Sequence, residues 1–289
     1  MSDPKAAVPA AQVILISGLS GSGKSVALRA LEDSGYFSMD NLPLPFVADV
    51  LHGLVARGEH RVALTLDVRS GEAIQHLPET LADLRHSGLD VRLLFLDASD
   101  QDLVRRFSET RRPHPLADGR RSIAECIGTE RRLLDAAAGI AHRIDTTQLS
   151  PNTLRAWIRD FVDLDSSRLT LFFESFGFKH GIPLDADFVF DVRCIPNPFY
   201  DPKLRPLTGK DPEIARFLEG IPATQRMVED VQAFVRRWAP EFMRDNRTSL
   251  TIALGCTGGQ HRSVYVAEAL ARSLRSEHAV RVIHRELAQ

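Results

Sequence analysis

Cysteine is scarce in this 289-residue chain: Cys126, Cys194 and Cys256 are the three, far apart and odd in number. That excludes a disulfide framework and leads us to expect a reducing, cytoplasmic setting. Long apolar runs are missing as well; none approaches the roughly 20 residues that span a bilayer, so no membrane association is expected. Residues 1–11 hold two Pro and one Lys but no apolar stretch, and read as a flexible tail rather than a secretory signal. Charge of one sign is not in excess: 36 basic against 38 acidic side chains leave a net charge of −2. A polycation that coats nucleic acid is thereby excluded, though a local basic patch is not. Repeats and low-complexity segments are absent. What remains is 44% hydrophobic and 26% charged, a globular balance with ample material for a core, in a length that suits one large domain or two modest ones.

Short apolar runs alternate with helical patterns. Strands are expected at Val13–Ile16, Tyr36–Met39, Val62–Leu66, Val91–Leu96 and His142–Ile144, with helices over 25–33, 73–87, 100–109 and 122–138. That alternation predicts an α/β fold with a mainly parallel sheet over 12–150. A helix starting near Pro151, with Ser150 as N-cap, is expected to form a linker over 151–166. A second α/β domain is expected over 167–289, with strands at Leu169–Phe173, Phe188–Val192, Leu250–Leu254 and Ala279–Ile283. Its helices are expected over 211–219, 223–238 and 263–273. The first 166 residues are net acidic and the rest net basic.

Gly18-Leu19-Ser20-Gly21-Ser22-Gly23-Lys24-Ser25 fits G-x-x-x-x-G-K-[ST], follows a strand and opens a helix. The glycines free the backbone so that loop amides can cradle phosphate at the positive end of a helix. Lys24 supplies charge to the β and γ phosphates, and the Ser25 hydroxyl is placed to ligate Mg²⁺. Acidic metal partners are expected at strand ends: Asp40, Asp67 and Asp97, of which Asp67 is favoured because Arg69 beside it can address the same anion. Arg105, Arg106, Arg111 and Arg112 suit a lid that closes over the phosphates.

A second strand-to-helix loop runs Cys256-Thr257-Gly258-Gly259-Gln260-His261-Arg262-Ser263. It predicts a backbone nest for an anion, with Arg262 as a bidentate clamp. Cys256-x₅-Arg262-Ser263 also matches the phosphate loop of cysteine-dependent phosphatases, whose thiolate attacks phosphorus. The acid that such chemistry needs has one nearby candidate in sequence, Glu241, in a stretch that reads as a helix end. Arg193, Lys203, Arg205 and Lys210, in a Pro-rich loop, either add charge to this nest or form an RNA surface.

Taken together, the loop at 18–25, Met39-Asp-Asn-Leu-Pro43, Asp67-Val68-Arg69, Phe173-Glu-Ser-Phe-Gly-Phe-Lys-His-Gly181, Asp191-Val-Arg-Cys-Ile-Pro-Asn-Pro198 and Gly255-Cys-Thr-Gly-Gly-Gln-His-Arg-Ser-Val264 resemble the RapZ-type P-loop nucleotide-binding family, the RNase adapter proteins. The resemblance covers the chain from about Gln12 onward. It implies ATP binding at residues 18–25, GTP binding at Asp67-Val68-Arg69-Ser70, and slow hydrolysis of both. It further implies a C-terminal domain similar to a sugar-phosphate-binding portion of phosphofructokinase, so that the nest at 256–263 holds a sugar phosphate. A small regulatory RNA presented to an endoribonuclease, and a homo-oligomer, belong to the same implication. One departure stands out: the RNA-binding members have a Lys/Arg-rich tail, whereas residues 281–289 here hold two Arg and no Lys. Fewer neutralised phosphates mean weaker, less salt-sensitive RNA binding. The readings from other classes are a small-molecule kinase, a cysteine phosphatase and a module that uses nucleotide only as a structural ligand.

Overall fold

The computed structural model describes residues 11–66, 73–110, 112–162, 169–244, 247 and 249–287. Two compact units divide the chain, Met1–Asp163 and Leu164–Gln289.

In the first, strands β1 (Gln12–Gly18), β2 (Phe37–Met39), β3 (Arg61–Thr65), β4 (Asp90–Asp97) and β5 (His142–Asp145) lie in the order β2-β3-β1-β4-β5. Every pairing is parallel. β1 runs apolar without alternation because strands flank it on both sides and helices cover both faces, burying Val13 through Ile16. Its helices are α1 (Lys24–Asp33), α2 (Val47–Ala56), α3 (Leu77–His86), α4 (Asp100–Thr110), α5 (Ile123–Leu133) and α6 (Asp135–Ile140), which connect the strands, and α7 (Pro151–Val162), which follows the last of them.

Three of these differ from expectation. Helix α2 was not foreseen; it opens without a side-chain cap and carries Val47, Val50, Gly53 and Val55, poor helix formers. Burial of Val47 and Leu51 holds it instead. The single helix expected over 122–138 is two, α5 and α6, that meet at Leu134. Helix α7, expected as a linker, packs within the first unit against α1 and buries Leu154, Trp157, Ile158 and Phe161.

In the second unit, β6 (Thr170–Gly177), β7 (Phe188–Asp191), β8 (Ser249–Cys256) and β9 (Ala279–His284) form a parallel sheet in the order β7-β8-β6-β9. Helices α8 (Pro212–Glu219), α9 (Pro222–Arg244) and α10 (Arg262–Leu274) accompany it. Helix α9 continues through Pro240, so the expected end near Trp238 is not there. A proline inside a helix costs about 3 kcal/mol. The apolar stripe of Val231, Val235 and Ala239 continues past it to Phe242, which packs edge-on against Phe188, and this burial outweighs the break. In both sheets a glycine-rich loop leaves the carboxyl end of an interior strand, β1 in one and β8 in the other. In parallel sheets that edge is where ligands bind.

Candidate functional site

The first loop forms as the motif requires. Gly18 has φ 139°, and a Cβ there would lie 2.2 Å from the Leu96 carbonyl oxygen on β4, so no other residue fits. Gly23, at φ 106°, caps α1, and Lys24 and Ser25 form its first turn. Lys24 Nζ donates to the carbonyls of Gly18 (2.6 Å) and Leu19 (3.2 Å), which keeps the ammonium over the loop. The loop opens on a cleft of about 1120 Å³ whose walls include Ser25, Asp40, Arg112, Thr146 and Gln148.

A buried carboxylate props the loop from behind. Glu130 accepts from the Ser20 amide (2.9 Å) and hydroxyl (2.8 Å), and from His114 Nε2 (3.1 Å). His114 Nδ1 accepts from the Leu116 amide, which leaves the ring proton on Nε2, directed at Glu130. Burial pushes the Glu130 carboxyl up. The His114 hydrogen bond, the Lys24 charge and the two Ser20 bonds outweigh it, and the carboxyl falls below its usual range. Sequence reading missed Glu130, yet a signal existed. Ile123, Cys126, Ile127, Glu130 and Leu134 share one helical face, and a Glu on that apolar stripe needs partners.

The strand-end carboxylates separate by role. Asp97 is 1% exposed and fully engaged: it accepts from Arg131 (2.9 and 3.0 Å), Arg143 (2.8 Å) and the Ala98 amide (2.8 Å). Its oxygens are thus engaged by the two arginines and the chain, and it serves as a structural anchor. Asp97→Asn should lower the unfolding free energy by about 1.5–3 kcal/mol while leaving hydrolysis per bound nucleotide unchanged, as urea unfolding and a phosphate-release assay will check. Asp40 is exposed, lines the cleft, and accepts from the Thr65 hydroxyl. Asp67, Val68, Arg69 and Ser70 lie outside the described residues, as does Arg111. Of the remaining lid arginines, Arg106 is tied to the carbonyls of Gly21 (2.9 Å) and Thr146 (2.6 Å), and Arg105 pairs with Asp102 (3.0 Å). Both brace the cleft wall. Arg112 is exposed at its rim.

The second loop joins β8 to α10. Cys256 Sγ accepts from the Gly259 amide (3.2 Å) and lies 3.2 Å from the Ser263 hydroxyl. Arg262, 4% exposed, donates through Nη1 to the carbonyls of Arg193 and Ile195 (2.9 Å each) and through Nη2 to the Thr257 hydroxyl (3.3 Å). Its buried Nε has no hydrogen-bond partner among the described residues. His261, also buried, lies 3.2 Å from the Arg205 carbonyl. Of the Pro-rich-loop cations, Arg193 is neutralised by Asp191 (2.7 Å) and Lys210 is 3.9 Å from Glu268. Arg205 stacks over Phe199. Glu241 pairs with Arg244 on the surface of α9 rather than serving this loop.

Among the described residues, no group of three or more acidic, His or Cys side chains could hold a metal, and no helix is long and apolar enough to cross a membrane. Residues 11–166 match the RapZ-like N-terminal domain and residues 169–288 the RapZ C-terminal domain. A nucleotide-binding protein of Aromatoleum aromaticum is 54% identical over 279 residues, covering 96% of each chain. One of Azoarcus sp. is 55% identical with the same coverage. Among solved structures, a tunicamycin resistance protein of Deinococcus radiodurans aligns over 54% of this chain and 97% of its own, at 18% identity and a TM-score of 0.40. Both halves thus match the models of one family and full-length relatives exceed half identity: the chain belongs to the RapZ family.

Proposed function

We propose that this protein is a regulatory nucleotide-binding protein of the cytoplasm. It takes ATP at residues 18–25 and GTP at Asp67–Ser70, and hydrolyses both slowly. The carrying observation is the loop of Gly18–Ser25, with its glycines in left-handed backbone and Lys24 over it, opening on a nucleotide-sized cleft. The donor set suits Mg²⁺: the Ser25 hydroxyl and the Asp40 carboxylate line one cleft, and hard oxygen ligands with nucleotide phosphates complete such a site. When bound, Mg²⁺ would supply charge neutralisation for phosphoryl transfer; Lys24 would hold the phosphates, and Ser25 and Asp67 would hold the ion. The relatives' names support the nucleotide reading.

Family membership supports the rest. A sugar phosphate occupies the nest at Cys256–Ser263, a small regulatory RNA is presented to an endoribonuclease, and the chain works as a homo-oligomer. A small-molecule kinase is the second reading, favoured by Asp40 in the cleft with Ser25. Nucleotide consumption that requires an added acceptor hydroxyl would establish it.

Lys24→Ala should weaken a fluorescent ATP analogue roughly 10- to 100-fold, the worth of a lost charge-assisted bond, with the chain still folded by circular dichroism. Unchanged affinity would refute the phosphate-loop assignment.

A further inference from the structure

We propose that the loop Cys256–Ser263 also hydrolyses phosphate monoesters without a metal, with Cys256 as nucleophile, Arg262 as clamp and Glu286 as general acid. This rests on the reading of the loop as a phosphate nest and adds chemistry to it.

Hydrogen-bond donors meet the thiol: the Gly259 amide donates to Sγ and the Ser263 hydroxyl lies 3.2 Å from it. Burial pushes Cys256 up, but the Ser263 hydroxyl and the amides of Ser263, Gly259 and His261 outweigh burial and bring it below its ordinary value. Donors converging on sulfur stabilise a thiolate, the nucleophilic form; a cysteine that merely fills a core has no use for them.

Arg262 is preset for an oxyanion. Its Nη1 is pinned by two carbonyls, which fixes the guanidinium plane. Nε and Nη2 share the opposite, side-on edge. That edge has one long bond to Thr257, on the loop itself, and a buried Nε with no partner among the described residues. Two phosphate oxygens on this edge would give the orphaned Nε–H an acceptor and replace the long Thr257 bond.

The acid, absent from the sequence reading, is Glu286. It follows β9 and lies against the loop: a Cβ on Gly259 would sit 2.3 Å from its Oε2, a buried atom with no hydrogen-bond partner among the described residues. Burial pushes the Glu286 carboxyl above its usual range, against the lowering effects of the Gly177 amide and of the Arg285 and Lys179 charges. Asp191, a carboxylate that feels Arg262, does not serve, because its bonds to Arg193 hold its pKa below the usual range.

The chemistry balances. The thiolate pair attacks phosphorus as the ester P–O bond breaks, and the leaving oxygen takes the Glu286 proton and departs as an alcohol. Water then attacks the phosphocysteine, gives a proton to the Glu286 carboxylate, and the S–P pair returns to sulfur. Inorganic phosphate is released and thiolate and acid are restored.

The full chain, in EDTA, should turn over p-nitrophenyl phosphate and glycerol phosphate, and rapid acid quench should trap phosphocysteine. Cys256→Ser should lose both turnovers. Glu286→Gln should slow glycerol phosphate about 100-fold, the worth of a general acid, and p-nitrophenyl phosphate far less, since nitrophenolate leaves unaided. In the wild type, inorganic phosphate should protect Cys256 from iodoacetamide, read by peptide mass, whether or not the variants fold. If the wild type binds phosphate but turns over nothing beyond Cys256→Ser, the hydrolysis proposal is overturned and the nest reading stands. If the wild type binds no phosphate and Cys256 goes unprotected, the nest reading itself falls and takes this proposal with it.

Discussion

Glu130→Ala should destabilise the N-terminal unit by about 3–5 kcal/mol, the usual result of removing one partner from a buried charged cluster. The Glu130 and His114 side chains are fully inaccessible, so no water replaces the lost carboxylate. The His114 Nε2–H, the Ser20 amide and the Ser20 hydroxyl would all be left without an acceptor. Because Ser20 belongs to the phosphate loop, nucleotide affinity should fall with stability. Glu130→Gln keeps an acceptor for Ser20 and should lose less of each. The pH dependence has a definite sign. The folded pKa is depressed, so the unfolded state takes up the proton first. The contribution is complete above the ordinary glutamate pKa of about 4.3 and is lost as pH falls through the folded value. Denaturant titrations of wild type and Glu130→Gln should therefore differ by a constant amount from pH 5 to 8 and converge in stronger acid. A difference that grows across the neutral range would rule out Glu130 as its source.

Arg262→Ala should be the most damaging single change in the C-terminal unit. Two effects separate. The carbonyls of Arg193 and Ile195 lose their donor, which should cost about 2–4 kcal/mol of stability for two bonds to a charged group. Binding of a sugar phosphate should also fall, by tenfold or more, because no other side chain of the loop offers a permanent charge in a planar fork. Arg262→Lys separates the two. It keeps the charge but cannot span two carbonyls and an oxyanion together, so it should recover part of the affinity and little of the stability. Calorimetry with a hexose phosphate, alongside urea unfolding, reads both quantities. Equal affinity in Arg262→Ala and wild type would remove the anion from this loop.

Both loops were legible in the sequence because each packs its chemistry into eight adjacent residues. The strands were legible because interior parallel strands read as unbroken apolar runs, as in Val13–Ile16 and Val91–Leu96. What escaped was whatever depends on partners distant in sequence. Glu130 meets Ser20 across 110 positions and Arg143 meets Asp97 across 46. Asp97 was indistinguishable in sequence from Asp40, since both follow an apolar strand; only the arginines folded onto one of them tell them apart. Glu286 lay near the end of the sequence with no motif around it. Helix α2 and the passage of α9 through Pro240 were hidden because tertiary burial overrides local propensity at both.

The strand order carries a consequence for synthesis on the ribosome. All five strands of the first sheet fall within residues 12–145, so that unit can close while later residues are still being added, at about 5–20 residues per second. The second sheet is different. Its strand β6 pairs on one side with β8 and on the other with β9, and Thr170 must wait for Ala279. Until then one edge of a wholly buried strand is bare, with Leu171, Phe173 and Phe176 uncovered beside it. A nascent chain arrested between α10 and β9 should therefore present a folded first unit and a sticky, chaperone-binding second one. Limited proteolysis of such arrested chains should cut the second unit far faster than residues 12–162.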